Sequence, residues 1–123
     1  MRIAIIEDES LVAMGIQGIL EENGHKVVAM ATRGAAAAEL ILQHKPDLVL
    51  LDINLKGDGL DGIDVCRLAI EMTKAKVVII TAYGDPETRQ RALDAGADEI
   101  MIKPITENAL LSVLHSLEGE LRS

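Results

Sequence analysis

The chain has 123 residues, is 49% hydrophobic, and carries a formal net charge of −8 with one cysteine, Cys66. That length suits one domain around one core, and the acidic balance argues against a nucleic-acid or anionic-membrane surface, both of which need basic patches. A lone Cys66 leaves no intramolecular disulfide framework and suits a reducing cytosol; with no apolar run of membrane-spanning length and Met1-Arg2 leading straight into a strand, a cytoplasmic protein without a signal peptide is expected.

Strand and helix signals alternate along the chain. Residues 2–6 read as a buried strand, and Ser10 as the cap of a helix to about residue 22, stopped by Asn23-Gly24. A weaker strand at 27–31 precedes an alanine-rich helix at 34–43, and Pro46-Asp47 separates that from a third strand at 48–51. The stretch from Asn54 to Gly62 is too glycine-rich for anything but a loop. A helix at about 63–73 leads to a fourth strand at 77–80. Asp85-Pro86 caps and opens the next helix, Gly96 ends it, residues 99–102 form the fifth strand, and Thr106 caps a last helix to about 117 or beyond.

Five βα units with short connections imply a parallel sheet covered by helices on both faces. Right-handed crossovers favour the flavodoxin-like, doubly wound (βα)5 order 2-1-3-4-5. Tyr83 is the sole aromatic residue, so the core is Ile, Leu, Val, Ala and Met. Met14, Met30, Met72 and Met101 are expected as core fillers, Cys66 as a small core residue, and His25, His44 and His115 at the surface.

Four of the five apolar strand runs end on the polar residues Glu7-Asp8, Asp52, Thr81 and Lys103. Carboxyl ends of neighbouring parallel strands share one edge, where ligands bind. Three carboxylates, a hydroxyl and an ammonium therefore converge on one crevice. Asp52 ends the central strand, and a carboxylate there can attack phosphorus and hold an aspartyl phosphate. Glu7, Asp8 and Asp52 make an oxygen-rich site suited to Mg²⁺, which also screens repulsion among the acids. Lys103 offers a point charge to a phosphoryl oxygen and is expected to matter little to folding; Thr81 offers a hydroxyl donor. For any one of these residues a turn or capping role is the plainer explanation; the set of five makes coincidence a poor one.

Over essentially the whole chain this pattern resembles the receiver domain of two-component response regulators. The motifs that carry it are Glu7-Asp8, Leu-Leu-Asp52, Ile-Ile-Thr81-Ala, Ala95-Gly96-Ala97-Asp98 and Ile102-Lys103-Pro104. The resemblance implies that Asp52 is the phosphoacceptor, taking a phosphoryl group from the phosphohistidine of a sensor histidine kinase or phosphotransfer protein. It implies Mg²⁺, with Mn²⁺ as a substitute, held directly by Asp8 and Asp52, by the Asn54 backbone carbonyl, and by Glu7 mainly through water. Thr81 and Lys103 would contact the phosphoryl group, and the Lys103–Pro104 peptide would be cis. Such a protein is not a dedicated enzyme; it catalyses its own phosphorylation and slow dephosphorylation.

Three positions depart from that family's pattern. Ile100 stands where an aromatic switch residue is usual, Lys56 replaces a common proline in a loop that looks two residues longer, and Tyr83 borders the site two residues after Thr81. Tyr83 could take over part of the ring's reporting role or simply shield the site.

Other readings fit less well. An EF-hand loop starting at Asp52 fails at Lys56 and at Ile63, where a bidentate Glu is required. A flavin site would put its phosphate against Glu7-Asp8-Glu9, and an aspartate-dependent phosphatase would need a second acid where Asn54 stands. The remaining alternative is a degenerate receiver that serves only as a protein-binding module. The expectation is one receiver domain over residues 1–123 with no output domain, signalling to a downstream protein target by protein contact, with no direct nucleic-acid or membrane partner.

Overall fold

A computed structural model describes residues 1–54 and 61–122. Strands β1 (Arg2–Ile6), β2 (Lys26–Ala31), β3 (Leu48–Asp52), β4 (Lys76–Thr81) and β5 (Glu99–Ile102) alternate with helices α1 (Ser10–Glu22), α2 (Gly34–His44), α3 (Gly62–Met72), α4 (Pro86–Asp94) and α5 (Glu107–Arg122). The strands form one parallel sheet in the order β2-β1-β3-β4-β5, the order expected from the sequence. The glycine-rich stretch after Asn54, including Lys56 and the loop's length, lies outside the described residues.

Strand alternation sorts the core into two layers. Ile3, Ile5, Leu48, Leu50, Val78, Ile80 and Met101 pack with Ala13, Ile16 and Leu20 of α1 and with Leu110, Leu114 and Leu117 of α5. Ala4, Ile6, Val49, Leu51, Val77 and Ile79 pack on the other face against α2, α3 and α4, with Ile100 half-buried beside them. Cys66 is fully buried in that second layer, as expected.

Several local expectations are corrected. Ser10 is the first helical residue of α1; Glu9 holds the cap position, in extended conformation, and no side chain caps the helix. The caps at Asp85 and Thr106 do form, through bonds from Thr88 N–H and Ala109 N–H. Gly96 ends α4 with φ +94°, a conformation that favours glycine. Of the four methionines, only Met101 is buried; Met14, Met30 and Met72 are 61%, 38% and 63% exposed, because their helix and strand positions fall off the packed stripe. His115 is exposed, but His25 and His44 are half-buried, with His25 Nδ1 accepting from the Met1 nitrogen at 3.0 Å.

Candidate functional site

The carboxyl end of the sheet gathers the polar residues. Asp52 is the last residue of β3 and only 4% exposed. It sits at the centre because β3 lies between β1 and β4. Glu7 follows β1 directly, is 1% exposed, and is fixed by its N–H donating to Ala31 O at 3.0 Å. Asp8 follows, and carboxylate oxygens of Glu7, Asp8 and Asp52 all lie within 4.8 Å of one another.

Lys103, directly after β5, reaches across the end of β4 to this cluster. Its Nζ donates to Glu7 Oε1 at 2.8 Å and to Asp52 Oδ2 at 3.0 Å. Glu9 Oε1 lies 3.7 Å from the same ammonium. Asp52 Oδ1 accepts the Asn54 backbone N–H at 2.9 Å, so each of its oxygens has a partner. The Lys103–Pro104 peptide is cis, as the resemblance implied.

These contacts push the two buried acids apart. Burial, with the Asp52 carboxylate beside it, raises Glu7 to about 7. Burial acts on Asp52 in the same sense, but bonding to Glu7, Asn54 N–H and Lys103 outweighs it and holds Asp52 below the usual aspartate value. Asp52 is thus kept ionised while Glu7 takes a proton readily. Burial works against the Lys103 charge, yet the two acids hold its pKa well above the usual lysine range.

Thr81, fully buried at the end of β4, stands apart from this network: its Oγ1 accepts the Tyr83 N–H at 3.0 Å. Strand alternation explains the separation, since Thr81 follows Val77 and Ile79 on the opposite face from Leu48, Leu50 and Asp52. Tyr83 is 64% exposed beside the site.

Two features escaped sequence reasoning. Glu9 joins the rim around Lys103, and its only signal was a third acid after Glu7-Asp8. Gly62, the first residue of α3, packs on the strand end itself: a Cβ there would stand 2.6 Å from Ile53 Cα and 2.7 Å from Asp52 O. Its place at the end of a glycine-rich loop hid that requirement.

A carboxylate held ionised among paired acids and a lysine, at the carboxyl edge of a doubly wound sheet, has the chemistry to take up a phosphoryl group. Residues 3–115 match the response regulator receiver domain family. The chemotaxis protein CheY of Bacillus subtilis is 33% identical, over 93% of this chain and 94% of its own. The transcriptional regulatory protein PdtaR of Mycobacterium tuberculosis is 34% identical over 98% of this chain, which spans 62% of PdtaR's length. Among solved structures, the BeF3-activated receiver domain of Klebsiella pneumoniae RstA superposes with a TM-score of 0.85 at 32% identity, covering 94% of this chain and 97% of that one. The chain belongs to the response regulator receiver domain family, whose members act in phosphorylation-controlled signalling.

Proposed function

We propose that Asp52 is the phosphoacceptor. A carboxylate oxygen of Asp52 attacks the phosphorus of a phosphohistidine on a sensor histidine kinase or phosphotransfer protein; the P–N bond breaks, and the histidine nitrogen leaves with the bonding pair. The observation that carries this reading is a nearly buried aspartate held ionised, at a strand end, by an ammonium and a backbone N–H. Glu7, with its raised pKa, is the poorer nucleophile at neutral pH.

The donor set fits a hard divalent cation. All candidate ligands are oxygens, three carboxylates converge, and Glu7 Oε2 is the one buried side-chain polar atom, among the described residues, without a hydrogen-bond partner. Asp8, Asp52 and the Asn54 carbonyl would hold Mg²⁺, or Mn²⁺ in its place, with Glu7 acting through water. Such an ion would supply positive charge to the transferring phosphoryl oxygens. Lys103 then turns its charge from the acids to a phosphoryl oxygen, and the Thr81 hydroxyl donates to another. The signal leaves through contact with a downstream protein.

Incubation with a small-molecule phosphodonor and Mg²⁺, followed by intact mass, tests the reading. The wild type is expected to gain one phosphoryl group and Asp52→Asn none, with labelling strongly slowed when Mg²⁺ is chelated. Equal gain by Asp52→Asn would overturn the assignment, and no gain by the wild type would leave a protein-binding module.

A further inference from the structure

Thr81 and Ile102 are paired across the β4–β5 ladder. The Tyr83 N–H donates to Thr81 Oγ1 at 3.0 Å, tying the segment after Thr81 to the hydroxyl. The next residue, Gly84, lies hard against β5: a Cβ at position 84 would stand 2.7 Å from Ile102 Cδ1 and 3.5 Å from its Cγ1. Ile102 is 41% exposed on the edge strand. Ile100, two residues earlier on the same face, is instead packed against the layer of α2, α3 and α4. A β-branched side chain in such packing is stiff. Ile102 thus combines a contact with the Thr81 segment and solvent exposure, where Ile100 is held in packing.

We propose that the Gly84–Ile102 contact is the latch through which Thr81 passes the phosphorylation state of Asp52 to the exposed edge of the sheet, taking the place of an aromatic ring at position 100. The latch rests on the phosphoacceptor reading of Asp52. In the present arrangement Thr81 Oγ1 serves Tyr83 as acceptor. To donate to a phosphoryl oxygen on Asp52, the hydroxyl turns away from the Tyr83 N–H toward the carboxyl edge that Thr81 and Asp52 share, which moves Oγ1 to another staggered position. The Tyr83 N–H loses its partner unless it follows, and leaving a half-buried donor unpaired is unfavourable. The segment therefore follows Thr81, Gly84 lifts from Ile102, and the Ile102 terminus moves to a second rotamer. Glycine at position 84 leaves open the space that the Ile102 terminus fills in the first state.

The test is isoleucine δ1-methyl labelling with NMR, reading the Ile102 δ1 carbon shift, which follows its side-chain rotamer, with intact mass taken on the same sample. Phosphorylation of the wild type is expected to move the Ile102 signal more than that of Ile100. Gly84→Ala is expected to gain the phosphoryl mass at the wild-type rate, with Ile102 already displaced before phosphorylation and little further change after it. Should Gly84→Ala not fold, Ile102→Val removes the contacting methyl: the Gly84 amide is then expected to shift on phosphorylation as in the wild type while the shifts in the β5 amides shrink. Full mass gain with an unmoved Ile102 overturns the latch and leaves Asp52 as phosphoacceptor. Equal Ile102 movement in wild type and Gly84→Ala, or undiminished β5 shifts in Ile102→Val, also overturns it. No mass gain in the wild type overturns both readings.

Discussion

Lys103 and Glu7 carry more of the site's energetics than their strand-end positions suggest. The sequence suggests an ammonium that acts on the phosphorylated form and matters little to folding. In the structure the Lys103 ammonium neutralises two buried acids, at 2.8 and 3.0 Å. Lys103→Ala leaves those acceptors unserved and is expected to cost about 1–3 kcal/mol of stability without metal, read from urea denaturation. Asp52→Asn on the same background should recover part of that loss, because one buried charge goes. Glu7 supplies a pH signature. It titrates at about 7 in the folded chain against an ordinary value of 4.5. Between those values the folded state binds the extra proton, so the Glu7 contribution becomes more favourable as pH falls from about 7 to about 4.5. With metal chelated, Glu7→Gln should be more stable than wild type above pH 7 and the two should converge toward the lower end of that window. A melting-temperature difference that did not change with pH would contradict the raised pKa.

At the scale of single elements, α3 is where the backbone beside Asp52 is most tightly specified. Asp61 accepts the Asp64 N–H at 2.9 Å, and Asp64 accepts the Asp61 N–H at 3.2 Å, closing a reciprocal cap at the helix start. Asp61→Ala is expected to cost about 1 kcal/mol, with labelling of Asp52 nearly unchanged. Gly62→Ala is different, since the new methyl meets backbone atoms of Asp52 and Ile53 that no side-chain rotation can clear. A cost of about 1–3 kcal/mol is expected, together with slower phosphorylation, because the strand end bearing Asp52, the proposed nucleophile, must shift. Equal labelling rates for the Asp61 and Gly62 variants would show that the contact does not position Asp52.

The alternation of aliphatic runs with amphipathic stretches made strands, helices and their order legible, and the polar residue closing each run made the site legible with them. Less accessible were features that depend on where a helix face points. Met14 and Met72 have the composition of core residues but not the azimuth, and Ser10 has the chemistry of a cap one residue too late to serve as one. Contacts such as Lys103 with Glu7, or Gly84 with Ile102, join residues that no local pattern relates.

Over the whole molecule, the aliphatic core has a practical consequence for measuring stability. Tyr83, the sole aromatic residue, is 64% exposed, so its emission is expected to change little on unfolding. Cys66 is the better reporter: it is fully buried, and burial pushes its thiol up to about 11. Its reaction with a thiol reagent at neutral pH should be slow and should track the opening of the α2, α3 and α4 layer. A thiol that reacted at the rate of a free cysteine in the native protein would contradict this packing.

The sheet order also sets which part of the site fails first. β1 and β3 are bonded on both sides, whereas β5 is a four-residue strand bonded on one side only, to β4. Edge strands of that length open at little free energy, well below global unfolding. Lys103 follows β5 directly, so fraying of this strand withdraws the ammonium from Glu7 and Asp52 while the rest of the sheet stands. Amide exchange in β5 should accordingly outpace that in β3, and a native population with its lysine undocked from Glu7 and Asp52 follows from the position of one short strand.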